Sequence, residues 1–221
     1  MFSPTALTPD VRSAVAKLGN RVSYIAALDF EHHIYISDWA KEFPNAAVLG
    51  VEGLPEKREK DPATKGTPFK YVWTNSNKQS LKVDPEFDKD FDYEYVGSHA
   101  NKELVFLYKP EKTLIEADLI FNLPAREQHS KTAEGAESGY LTKLFTGFQN
   151  TQGQAKWQKR FIWYVASSGN RPDFNRSVER INGWDFDRII PCHGDVIETG
   201  GKTVFQKVLS WHLASLGKKD T

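Results

Sequence analysis

Two short apolar runs with a helical pattern between them limit what this chain can fold into. "RVSYIAAL" (Arg21–Leu28) is rich in β-branched and aromatic residues, and "AAVLGV" (Ala46–Val51) is continuously apolar. Runs of this kind suit strands, and an unbroken apolar strand suits one buried on both faces. Between them Ile34–Phe43 has a helical pattern stopped by Pro44. Strand, helix, strand predicts an α/β unit with parallel strands. A helix comes first: Thr8 can cap it and Pro9 suits its first turn. Val11, Val15 and Leu18 then share a face, and Gly19 closes it.

Further on the pattern changes. From Glu52 to Asp92 the chain is dense in Lys, Asp and Pro, which predicts surface loops around a weak helix and short strands. "YEYVGS", "ELVFLYK" and "TLIEADLIF" read as successive strands, with "KPEK" as a tight turn between the last two. His129–Gly139 reads as a mobile loop, and Tyr140–Val165 as mostly helical and aromatic. "RPDFNRSVERINGW" predicts a helix burying Phe174, Val178 and Ile181. "DRIIPCHGD" predicts a short buried strand ending in a histidine loop, and Lys202–Leu216 a final helix burying Val204, Val208 and Trp211. No repeat and no dividing linker interrupts this order, so a single domain over residues 1–221 is expected, long enough to bury a real core.

Composition narrows the function classes. Lys and Arg together equal Asp and Glu at 29 each, which gives the whole chain no electrostatic preference for nucleic acid or an anionic membrane. A lone cysteine, Cys192, rules out an intrachain disulfide and fits a reducing, cytoplasmic compartment. The opening "MFSPTALTPD" lacks the basic-then-apolar order of a signal peptide, and no apolar run approaches the roughly 20 residues of a membrane span. The expected partner is a small-molecule substrate.

Polar residues that end apolar strands mark where chemistry can sit. His32 and His33 follow "YIAAL", His99 precedes "ELVFLYK", Asp118 interrupts "TLIEADLIF", and His193 follows "RIIP". Strand ends in α/β folds gather at one rim, so residues distant in sequence can converge there. A carboxylate inside an apolar run needs a partner, because an unpaired buried charge is costly. A metal ion is one such partner, and imidazole with carboxylate suits zinc, iron or manganese. Each residue also has a plain structural role open to it. Asp118 can accept bonds in a turn, His99 can be a loop residue and His193 a turn residue. His129 and His212 are expected to carry no chemistry.

The order and spacing of these residues resemble the metallo-β-lactamase fold superfamily, and more narrowly an uncharacterised branch, the DUF4336 proteins of bacteria and fungi. The opening segment "FSPTALTPDVRSAVAKLGNRVSYIAALDFEHHIYISDWAKEFPNAAVLG" resembles that branch, "GSHANKELVFLYKPEKTLIEADLIFN" resembles the superfamily's "PGH…GD" stretch, and "RIIPCHGDVI" its closing "HG" motif. The resemblance implies an αββα sandwich whose N-terminal strand hairpin is either shed or absent from a shortened chain. It places His99 at the third-motif histidine, Asp118 at the bridging aspartate and His193 at the closing histidine.

The first motif departs from the pattern. The superfamily's His-x-His-x-Asp-His falls here on Leu28, Phe30, His32 and His33. By that carry-over one metal site keeps only His99 and Asp118 and is broken. The other keeps His33, Asp118 and His193, with His32 able to replace an oxygen ligand by nitrogen and Glu31 as a spare oxygen. The implied centre holds one divalent ion, zinc first, with Asp118 anchoring it and His99 as a ligand, an outer group or a proton carrier. Three functions stay open on this reading. They are a hydrolase of a small ester, lactone or related molecule, an iron or manganese oxidoreductase or lyase, and a non-catalytic binding module. Loss of the hairpin also exposes a sheet edge, which implies a homodimer.

Overall fold

The computed structural model describes residues 1–132 and 135–217, in two compact units of which the second begins at Asp84. Two residues of the loop expected over His129–Gly139, 133 and 134, lie outside the described residues.

In the first unit, α1 (Pro9–Lys17) starts as expected, with the Thr8 hydroxyl accepting from the Val11 amide. Strands β1 (Tyr24–Ala26), β2 (Ala47–Val51) and β3 (Tyr71–Trp73) form a parallel sheet in that order. Helix α2 (Ile36–Glu42) connects the first two strands and α3 (Leu54–Glu59) the next two. Parallel neighbours need such crossovers. Ile25, Leu49, Val51, Trp39, Leu54 and Trp73 are fully buried around the sheet, as the apolar runs require. The first strand is shorter than its apolar run. Ala27 still donates its amide to the Leu49 carbonyl, Leu28 and Asp29 stay buried beyond the ladder, and the chain then turns through the histidine pair. On the outer side of β1, Phe2 makes a parallel bridge to Ala26.

The second unit opens with α4 (Pro85–Asp90), capped by Asp84. Strands β4 (Phe91–Val96), β5 (Glu103–Tyr108), β6 (Thr113–Ile115) and β7 (Arg188–Ile190) make one sheet in that order. The first two pairings are antiparallel and the β6–β7 pairing is parallel. Here the expected strand "TLIEADLIF" is corrected: only Thr113–Ile115 is strand. The next residues are buried yet non-ladder, because side chains serve their amides: Glu103 those of Ala117 and Asp118, Glu116 that of Ile120, and Gln158 that of Phe121. Buried amides demand partners, and here side-chain oxygens take the place of a neighbouring strand.

Helices α5 (Tyr140–Phe148), α6 (Lys156–Phe161), α7 (Arg171–Asn182), α8 (Gly201–Val208) and α9 (Ser210–Leu216) complete this unit, and a π turn over Ile162–Ala166 follows α6. Phe174, Val178 and Ile181 of α7 are buried with Leu114, Ile189 and Phe205, as the helical spacing predicts. Glu94 of β4 binds Arg180 and the Ser177 hydroxyl of α7, tying helix to sheet. The single last helix is a correction: it breaks at Leu209 into α8 and α9. The break turns His212 inward, to 2% exposure, and leaves Trp211 at 37%. His212 Nδ1 lies 2.7 Å from Asn175 Oδ1, and its ring packs on Trp163 and Phe174.

One sheet edge collects the chemistry of this unit. The end of β6 and the end of β7 lie together because those strands are parallel. The start of β5 and the end of β4 join them because those pairings are antiparallel. His99, Asn101, Glu103, Glu116, Asp118 and His193 all fall on the segments leaving that edge. Gly194 fixes the last of these segments. Its φ is +116°, and a Cβ there would meet the Asn122 backbone at 2.2 Å, because Asn122 bonds the chain on both sides of it.

Two outcomes follow from this packing. Gly194→Ala combines an unfavourable φ with a backbone clash and should lower unfolding free energy in urea by at least about 2 kcal/mol. His212 is held neutral, its pKa lowered to about 4 by burial first and by the Arg171 charge second. The unfolded chain therefore binds this proton more tightly. Stability from this group is complete above about pH 6.5 and falls as pH drops towards 4, by on the order of 2 kcal/mol. Urea midpoints measured across that window should fall less steeply for His212→Gln.

Candidate metal site

At the edge described above, His193 Nε2 stands 3.2 Å from Asp118 Oδ1. Ligand atoms bonded at about 2.0–2.2 Å to one tetrahedral ion lie roughly 3.3 Å apart, so this pair is spaced as two ligands of one ion would be. Asp118 is buried, whereas the His193 side chain is 42% exposed, so one partner is anchored and the other reachable. The Phe121 ring stacks on the His193 imidazole with centroids 5.3 Å apart and planes 4° from parallel. Asn101 Nδ2 donates to Asp118 Oδ2, which turns Oδ1 towards His193. Cys192, beside His193, is half-buried.

Glu103 holds the loop that carries Asp118. Its two oxygens accept from the amides of Ala117 at 2.8 Å and Asp118 at 3.0 Å. Glu116, fully buried beside it, has its carboxyl pKa raised well above the usual range by desolvation and by the Glu103 charge. One of two neighbouring buried carboxyls thus stays protonated.

His99 belongs to this support. Its Nδ1 accepts from the Asn101 amide at 3.1 Å, which puts the ring proton on Nε2, and Nε2 faces Glu103 Oε2 at 3.9 Å. A neutral imidazole in that tautomer offers no second lone pair to a metal. The ring is 4% exposed and lies over Phe174. His99 therefore stands behind Asp118 as an outer group.

In the first unit the histidine pair divides by the same logic. His33 Nδ1 lies 3.0 Å from Arg58 Nη1, and a guanidinium only donates. Nδ1 is thus the acceptor and Nε2 carries the proton. The His33 pKa is lowered, by burial first and by the Arg58 charge next, so the ring is neutral. Arg58 itself is buried and also donates to the His33 carbonyl, the Ser37 hydroxyl and the Thr64 carbonyl. His32 is the reverse case. Its Nδ1 lies 2.8 Å from Asp29 Oδ2, so Nδ1 carries the proton and Nε2 keeps its lone pair. Asp29, fully buried, also accepts from the Glu31 and His32 amides through Oδ1. A carboxylate behind an imidazole is the usual support of a metal-binding histidine. Glu31 pairs with Lys57 at 3.0 Å.

Sequence reasoning missed Asp29, Arg58, Asn101, Glu103 and Glu116. A signal existed for one of them: Glu116 interrupts the same apolar run as Asp118. Phe145 is 51% exposed, whereas Trp73 is buried.

No protein-family model and no curated protein matches the chain. Solved structures do. A metallo-β-lactamase from Pontibacter korlensis aligns over 96% of this chain and 79% of its own at 10% identity, with a TM-score of 0.54. A metallo-β-lactamase from Hirschia baltica aligns over 92% and 74% at 12% identity and 0.52. The rubredoxin oxygen:oxidoreductase of Desulfovibrio gigas aligns over 92% of this chain and 48% of its own at 13% identity and 0.58. The chain spans about half of that last protein. At such identities the shared property is architecture, and with its strand order and strand-end histidines this chain has the metallo-β-lactamase fold.

Proposed function

We propose that this protein is a metal-dependent hydrolase of a small ester, lactone or related molecule, with one divalent ion bound by Asp118 and His193. The observation that carries the reading is the 3.2 Å approach of His193 Nε2 to Asp118 Oδ1, just beyond the ends of two parallel neighbouring strands. His33 is left out because its proton sits on the nitrogen that would have to bind. The donors, imidazole and carboxylate, suit zinc first, with iron or manganese compatible. Placement in the DUF4336-like branch rests on the opening segment and belongs to the same proposal.

A divalent ion held by these residues would supply Lewis acidity, enough to lower a water's pKa towards about 7 and to polarise a carbonyl. The chain's own residues do the rest. Asn101 orients the Asp118 carboxylate, Glu103 fixes its backbone, and Phe121 keeps the His193 ring from turning. Leu28 and Phe30, where the superfamily has histidines, leave no second set of nitrogen donors.

Elemental analysis of protein purified without chelator should find close to stoichiometric divalent metal, and Asp118→Ala should hold it at least about 100-fold more weakly. Equal retention by that variant would sink the proposal. In chelator competition His193→Ala should weaken binding by about 10–100-fold. His33→Ala should leave affinity within a few fold and instead cost roughly 1–3 kcal/mol of stability, since Arg58 loses an acceptor.

A further inference from the structure

Helix α5 wears its apolar face outward. Tyr140, Leu141, Leu144, Phe145 and Phe148 fall on one side at 100° per residue, and the opposite side carries the buried Thr146. Tyr140 is 80% exposed, Leu141 76% and Phe145 51%. The patch continues onto α6, because Phe148 packs edge-on against Trp157 at 5.1 Å and Trp157 is itself 50% exposed. An apolar helix face turned to water in this way calls for an occupant.

Charge says what kind. From Ser138 to Asn170 there is no Asp or Glu, while Lys143, Lys156, Lys159 and Arg160 are all cationic. In a chain of net charge zero this is a local excess. It also borders the patch directly: Lys143 lies on α5 itself, and the Arg160 guanidinium sits 4.8 Å over the Trp157 ring. A second copy of the chain is a poor occupant, since a two-fold contact would set these cations against their own copies. A stable protein partner needs about 800 Å² of matched surface on each side. An anionic lipid surface asks for less. Aromatic and leucine side chains enter the headgroup boundary while flanking lysines and arginines meet the phosphates.

We propose that the α5–α6 face docks this protein peripherally on an anionic lipid leaflet, with Leu141, Leu144, Phe145 and Trp157 entering the interface and Lys143 and Arg160 flanking them. The protein lies on the bilayer, and no helix among the described residues is long and apolar enough to cross one. This surface does not depend on the metal reading above.

The test is co-sedimentation of the full chain with large unilamellar vesicles, either pure phosphatidylcholine or phosphatidylcholine with about a third phosphatidylglycerol, a strongly anionic surface. Binding should be confined to the anionic vesicles and fall steeply with added salt. Lys143→Gln should weaken it about fivefold and Leu141→Ser about tenfold, with unchanged thermal melts because both side chains are exposed. Absence of binding to anionic vesicles overturns the proposal, as does equal binding to both kinds. Concentration-dependent dimerisation abolished by Leu141→Ser would instead assign the face to a second copy.

Discussion

The Glu103 carboxylate is the constraint on which the candidate site rests. It sits at the first position of β5, fully buried, and accepts the amides of Ala117 and Asp118 across the sheet edge. Without it the segment after β6 would bury amides with no ladder to serve them, at a cost of about 1–3 kcal/mol each. With it the chain can leave the sheet early, and Asp118 emerges at a fixed height beside His193. The neighbouring Glu116 completes the arrangement by staying protonated, so the two buried carboxyls do not repel as a charged pair.

The same reasoning about protons sorts the histidines. Residue type alone makes His32, His33 and His99 equivalent. What separates them is whether the group facing Nδ1 donates or accepts. Arg58 and the Asn101 amide donate, so His33 and His99 carry their proton on Nε2. Asp29 accepts, so His32 carries its proton on Nδ1. Asp29, three residues before His32, thus sets the tautomer of that ring.

Much of the fold was legible because periodicity reports burial. The runs around Ile25, Leu49 and Leu104 are buried strands, and the spacing of Phe174, Val178 and Ile181 marks a packed helix face. Two features were not legible for a physical reason. The "EADLIF" segment is as apolar as a strand, yet its amides are served by side chains distant in sequence. The last helix reads as continuous, and only tertiary packing breaks it at Leu209 and turns His212 inward. Of the candidate site, the strand-end residues could be named from their positions, but the tautomers could not. Arg58 lies 25 residues from His33, and Glu103 lies 15 from Asp118.

The flat contact between Phe121 and His193 has an entropic consequence. A half-exposed imidazole ordinarily samples several rotamers and forfeits that freedom when it is captured. Here a phenyl ring, itself braced edge-on by Phe145 and Phe161, covers one face of the imidazole and narrows that freedom. A ligand taken by His193 would then cost less side-chain entropy than one taken by a mobile ring.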